Sequence, residues 1–270
     1  MIVKLFHNEL EYIIDTSKAV DISIPYIFNG NQPNLYNVKE GSSKPLKSNN
    51  IDWSVSLGAS CNVPEISMNI HCTGTHTETV GHLLRDNGNI GKIFTELFLP
   101  TVLITVDPEI AKKTNDKYHC DINEDELIIT LKIVKLQLEK YINFNPIALI
   151  IRTLPNDTKK RFQNYAKEPP PFLSNNAMSY INKLNISHLI VDIPSIDRMN
   201  DDGILGNHRI FWGDGLNPRS EVSEKTDKTI TEMSYIPNFV KDGIYFLNIQ
   251  IPNFVLDAAP SRLFLYKNIS

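Results

Sequence analysis

Strand-like runs dominate the apolar positions of this chain. Ile2–Phe6 and Tyr12–Asp15 open it, and the alternating run Ala19–Ile24 stops at Pro25, as a two-residue period predicts for a half-buried strand. Val55–Ser60 and Ile66–His71 read as two further strands. Thr101–Val106 is β-branched and Ile147–Arg152 (IALIIR) almost wholly apolar, so both are expected as buried strands; His188–Asp192 and Tyr245–Ile251 complete the set. Helical signals are fewer. Asn123 followed by Glu126 resembles a polar cap ahead of a helix running to about Tyr141, and Ser174 resembles the cap of a helix through Leu184. Glu78–Arg85 has helical composition and ends near Asn87-Gly88, whereas Gly30–Asn50, rich in Asn, Ser, Lys, Gly and Pro, reads as a long surface loop. Strands interleaved with helices, without an internal repeat or obvious linker, predict one α/β or α+β domain over residues 1–270.

Composition narrows the functional classes. The chain has 270 residues, 41% hydrophobic and 21% charged, an ordinary balance for a globular protein with a full core. Its net charge of −4 is spread along the chain with no dense Lys/Arg stripe, which argues against a nucleic-acid partner. The longest apolar candidate for a membrane span, Leu97–Val106, is cut by Pro100. His7, Glu9 and Glu11 fall where a signal peptide has its apolar centre. Cys61, Cys72 and Cys120 are sparse and odd in number, against a disulfide framework, so a cytoplasmic location is expected with no membrane partner.

The densest chemistry lies between His71 and His82, HCTGTHTETVGH, which holds three histidines, a cysteine and a glutamate around Gly74. These are the side chains that bind transition metals, and a glycine turn lets several converge. His76 and Glu78 lie two apart and share a face of an extended backbone, as does Cys72, four before His76; His71 has the opposite parity. Cys72, His76 and Glu78 are therefore expected to face one ion, with His82 free to act as a base. The opposing reading is a polar loop with surface histidines, and the density of ligands around the turn favours metal. The histidines His76 and His82 are six apart, unlike the zinc-peptidase helix, and neither a Gly-x-Ser-x-Gly elbow nor a phosphate-binding glycine loop occurs.

The stretch from Gly74 to His82 resembles the signature His-x-Gly-Thr-His-x-Asp-x-Pro-x-His of the metal-dependent cyclase/hydrolase family, which includes bacterial kynurenine formamidase and isatin hydrolase. Val20–Pro25 looks like that family's opening strand, Leu173–Asp197 like its helix–strand–turn unit, and Asp242 through Arg262 like its ending, all in the family's order. The resemblance implies a single swivelling β/β/α domain with a mixed central sheet or barrel and flanking helices. It implies hydrolysis of a C–N bond in a small molecule by water activated on one or two divalent ions, zinc or manganese. His76 then matches a metal ligand, Glu78 the aspartate that bridges two metals, and His82 the histidine that moves protons. His208 resembles a second-metal ligand and Glu232 the family's downstream glutamate, a further metal ligand, and a homodimer or tetramer is expected.

Three signature positions differ: Cys72 stands for the first histidine, Glu78 for aspartate and Val80 for proline. Strand parity selects Cys72 over His71, and the long gap between His208 and Glu232 suggests an inserted polar loop over residues 213–229. These differences keep two alternatives in view: a binding protein with a structural metal or none, and a metal-dependent cyclase or dehydratase. Asp192 and Asp197 are expected as pocket-shaping residues or as caps and turn formers. Trp53, Phe211 and Trp212 are expected in the core or an aromatic pocket. His7, His119 and His188 are expected without ligand-like neighbours. The substrate-binding residues are not legible.

Overall fold

Along the run from Ala148 to Thr153, Leu149 and Ile151 point to one face while Ala148 and Ile150 point to the other, and all four are fully buried. A strand covered on both sides has no polar face to alternate with, which explains the unbroken apolar run of IALIIR. It is the middle strand of a curled, mixed nine-stranded sheet. In the computed structural model, which describes residues 1–86, 88–93, 96–213, 217–222 and 226–270, these strands are β1 (Val20–Asp21), β2 (His76–Thr79), β3 (Leu99–Val106), β4 (Ala148–Thr153), β5 (His188–Val191), β6 (Thr229–Glu232), β7 (Gly243–Gln250), β8 (Ala258–Pro260) and β9 (Arg262–Lys267). Side by side they run β8–β2–β6–β5–β4–β3–β7–β9–β1. Strands β6, β5, β4 and β3 are parallel, and the pairings on either flank are antiparallel.

Three helices cover one face: α1 (Leu131–Leu138), α2 (Asn175–Lys183) and α3 (Gly206–Trp212). Val134, Leu138, Met178, Ile181, Ile210 and Phe211 pack there against Val102, Ile104, Leu149, Ile151 and Leu189. On the other face the sheet curls around its own side chains, with Leu103, Ile150 and Ile190 meeting Ile22, Ile236 and Leu263. The mixed sheet and flanking helices match the α/β expectation. Ser174 caps α2 as expected, its hydroxyl accepting from Ala177 N at 2.9 Å.

Several local expectations are corrected. The Asn123/Glu126 pair closes a turn, Asn123 N donating to Glu126 Oε2 at 2.7 Å, and the next residues, Leu127–Ile129, form a short strand. The helix begins only at Leu131, capped by Thr130. The two side chains cap no helix; the β-branched Ile128 and Ile129 behind them pair in parallel with Phe172 and Leu173. Val55–Leu57 is a 3-10 turn ending at Gly58 (φ 94°), not a strand. The loop expected over 30–50 carries Ser42–Pro45, paired with Pro64–Ser67, so the second predicted strand ends at Ser67. Of the helix expected over Glu78–Arg85, Glu78 and Thr79 belong to β2, and Val80–Leu83 forms a 3-10 turn; Asn87, at its expected end, lies outside the described residues. In the polar loop expected over 213–229, residues 214–216 and 223–225 also lie outside them. Among the described residues no helix is long and apolar enough to cross a membrane.

The carboxyl ends of β4 and β5 are tied by a buried ion pair. Asp192 accepts from Thr153 N at 2.9 Å, from Thr153 Oγ1 at 2.8 Å and from Lys160 Nζ at 2.8 Å. Lys160 also donates to the Thr153 carbonyl at 2.6 Å, so each charge is fully engaged where water is excluded. Removing one partner strands the other in a low dielectric. Lys160→Met is expected to lower the unfolding free energy by about 3–5 kcal/mol in urea titration; a loss below about 1 kcal/mol, the scale of an exposed pair, would contradict this account.

Candidate functional site

Residues 71–74 turn instead of extending. Cys72 N donates to Asn69 Oδ1 at 3.0 Å, and Thr73 Oγ1 donates to the Asn69 carbonyl at 2.6 Å. Gly74 serves this turn through its size, since its φ lies outside the left-handed region. A Cβ there would stand 2.7 Å from Cδ2 of the Tyr26 ring, whose hydroxyl bonds Thr73 Oγ1 at 2.7 Å. The chain then enters β2, whose four residues are all buried. His76 and Glu78 share one face; on the other, Thr77 Oγ1 bonds Thr231 Oγ1 at 2.8 Å and donates to Ser261 Oγ at 2.9 Å. Glu232 lies directly opposite His76 in the register of β6. His208 enters from the first turn of α3, within the crossover between β5 and β6.

Glu78 is the centre of the arrangement. Its Oε1 is 2.9 Å from His208 Nε2 and its Oε2 is 3.0 Å from His71 Nδ1. Ligand atoms of His71, His76 and Glu78 lie within 4.8 Å of one another, as do those of Glu78, His208 and Glu232. The two triads thus share Glu78, which offers one oxygen to each. A third group comprises His71, His82 and Asp257. Asp257 Oδ2 is 2.9 Å from His71 Nε2 and 3.3 Å from His82 Nδ1.

Burial sets the protonation states. It pushes His76 down to about 4, with neighbouring His71 adding to the effect, so His76 is neutral. His76 Nδ1–H donates to the Gly74 carbonyl at 3.0 Å, leaving Nε2 as the lone-pair nitrogen, and that atom is buried without a hydrogen-bond partner among the described residues. Burial and the nearby Glu78 carboxylate raise Glu232 to about 8. Burial opposes ionisation of Glu78 too, yet His82 and His208 hold it well below the usual carboxylate range. His208 is driven well above its ordinary value: burial opposes its charge, but Glu78 and Asp197 outweigh it. Asp197 accepts from His208 Nδ1 at 2.7 Å, which aims Nε2 into the site. His71, between two carboxylates, is raised to about 10 against the effect of its own burial.

This donor set fits a divalent transition ion. Imidazole nitrogens and carboxylates suit zinc and manganese alike, and the orphaned His76 Nε2 supplies a buried lone pair 3.6 Å from Glu232 Oε2. The structure brings together His76, Glu78, His208 and Glu232 of the expected set, with His82 beside them. Cys72 lies elsewhere: its side chain packs with Ile24, Leu35, Tyr165 and Met233, and burial, with Glu232 nearby, pushes its thiol up to about 11. The ring adjacent to His76 is that of His71, 5.2 Å away between centroids. Alternation of side chains between faces holds only for extended backbone, and the turn at 71–74 breaks it. Asp257 and Asp197 had no assigned ligand-orienting role. His119, expected without ligand-like neighbours, stands 3.4 Å from Asp201 Oδ2 with Asp197 close by. Both carboxylates are already engaged there, Asp197 by Tyr118 Oη and His208, and Asp201 by Gly203 N and Leu205 N. Phe211 and Trp212 are core residues.

Comparison with known proteins gives a consistent picture. A family model described as a putative cyclase matches residues 15–198. Kynurenine formamidase of Bacillus cereus is 24% identical over 199 residues, 73% of this chain and 78% of that protein. Among solved structures, a predicted metal-dependent hydrolase from Bacillus stearothermophilus superposes with a TM-score of 0.56 at 17% identity, covering 92% of this chain and 98% of its own. Isatin hydrolase A from Ralstonia solanacearum gives 0.56 at 12% identity, covering 92% and 91%. These structural likenesses share the fold.

The Tyr26 ring packed on Gly74 yields a direct test. Gly74→Ala is expected to cost about 1–3 kcal/mol in thermal unfolding, the scale of overpacking. In a Tyr26→Ala background the same substitution should be nearly neutral; equal losses in both backgrounds would show that the ring is not the obstacle.

Proposed function

The chain belongs to the putative cyclase family, and from that premise we propose that it is a metal-dependent hydrolase cleaving the C–N bond of a small amide, formamide or lactam. The observation that carries this reading is the pair of triads joined at Glu78, with the unpartnered His76 Nε2 3.6 Å from Glu232. Such a site spends buried charge that a structural core would avoid. The relatives named as kynurenine formamidase and isatin hydrolase support an amide-type bond as the target.

His71, His76 and Glu78 would hold one ion, and Glu78, His208 and Glu232 a second. A bound ion of this kind would supply Lewis acidity, lowering the pKa of water to about 7 and polarising a carbonyl oxygen. The chain's own residues do the rest. His76 presents a neutral nitrogen because Gly74 holds its other proton. Asp197 fixes the ring of His208, and ligation at His71 Nδ1 requires loss of the proton now shared with Glu78. His82 takes the proton of the attacking water at Nε2 and returns it to the nitrogen released when the C–N bond breaks.

Purified protein loaded with Zn²⁺ or Mn²⁺ is expected to hydrolyse N-formylkynurenine or isatin and to lose that activity in chelator. Stoichiometric metal without turnover on either compound or on simple formamides would favour the binding-protein alternative. Metal titration separates the two ligand assignments. His71→Ala should weaken binding at least about 10-fold, the scale of a lost or misoriented ligand, while Cys72→Ala should leave it within about threefold. The reverse order would return the ligand role to Cys72.

A further inference from the structure

We propose that Asp257 is the positioning residue for His82, fixing its tautomer and ring orientation so that Nε2 is the nitrogen offered to the reaction. This rests on the reading of His82 as the proton carrier. The carboxylate sits in a position the backbone determines tightly. The Asp257 carbonyl accepts from Thr79 N and from Thr79 Oγ1, both at 2.9 Å, so the residue is pinned to the end of β2. One residue earlier, the Leu256 carbonyl accepts from Ile90 N at 2.9 Å, and one residue later Ala258 pairs with Glu78. Asp257 is thereby held alongside the strand that carries His76 and Glu78.

From that station Oδ2 lies 3.3 Å from His82 Nδ1. A carboxylate can only accept, so Nδ1 carries the proton and Nε2 keeps the lone pair. Among the described residues no group bonds Nε2, and the side chain remains 27% exposed, open to substrate. The alternative acceptor is Glu78, whose Oε2 is 4.0 Å from the same Nδ1. Asp257 therefore does two things at once. It turns the free nitrogen of His82 outward, and it keeps His82 from competing for the oxygen that Glu78 needs for metal. The same Oδ2 holds His71 Nε2 at 2.9 Å, and the His71 and His82 rings lie 4.3 Å apart between centroids, tilted by 31°. One carboxylate oxygen thus sets the spacing between a candidate ligand and a candidate base.

The test uses Zn²⁺-loaded protein and the Asp257→Asn variant, read by ¹⁵N NMR of the histidine side chains, by metal content and by turnover of N-formylkynurenine. Expected in the wild type is an Nδ1–H tautomer at His82. In Asp257→Asn, which replaces one acceptor oxygen with an N–H₂ donor, that tautomer is lost while metal content holds. The kcat is expected to fall by about 10²-fold or more, the scale of general acid–base catalysis, with KM changed less than about threefold. Asp257→Glu, which keeps the carboxylate on a longer stem, should restore part of both signals. An unchanged His82 tautomer in Asp257→Asn would overturn the proposal, as would a fall in kcat that only tracks lost metal. If the wild type turns over none of the tested substrates, the hydrolase reading fails, and the tautomer measurement alone decides the role of Asp257.

Discussion

Glu78 is a carboxylate with almost no solvent contact, and every chemical group around it is arranged to make its charge tolerable. His208 approaches one oxygen and His71 the other, while Glu232, a second buried acid, stands close enough to have its own ionisation suppressed. Two carboxylates and three imidazoles packed this closely are stable only as a set. The rest of the site follows from supplying that set: β2 carries Glu78 and His76, β6 sets Glu232 opposite His76, and the segment before β8 delivers Asp257. The antiparallel insertion of β2 beside the parallel strands is what brings these three chain segments together.

Much of this was legible where local chemistry and tertiary context agree. Ile147–Arg152 could only be a buried strand, and Ser174 sits at its helix start because its hydroxyl has a clear backbone donor to accept from. The resemblance along the chain located His76, Glu78, His82, His208 and Glu232, which the fold gathers from three elements and a turn. Reading failed where a local signal had two solutions. Asn123 and Glu126 satisfy each other equally well ahead of a helix or a strand, and the β-branched residues that follow decide for the strand. Helix α3 escaped notice since it is short, opens at Gly206 after Leu205 in a left-handed conformation (φ 52°), and shows no polar cap.

The His71/Cys72 pair illustrates a subtler limit. Parity along a strand is a strong argument only while the backbone stays extended, and Asn69 ends that condition two residues before the cluster begins. Asp257 was visible as part of a motif but carried no assigned role. Its value depends on two histidines 186 and 175 residues earlier in the chain, and no local pattern encodes that proximity. The buried Lys160–Asp192 pair is similar: the aspartate at a strand end looked like a turn former, and the lysine that engages it arrives from a surface turn.

The retreat of Cys72 into an apolar cluster has a consequence for how the site ages. A thiolate holding a metal is also a nucleophile toward peroxides, so its metal retention varies with the oxidising strength of the surroundings. Here the thiol is buried, protonated at neutral pH and walled in by Ile24, Leu35 and Met233, while nitrogen and oxygen form the donor set. A metal held by the proposed histidines and glutamates would be bound through atoms that do not climb the sulfur oxidation ladder, and would keep one coordination chemistry through swings in redox poise.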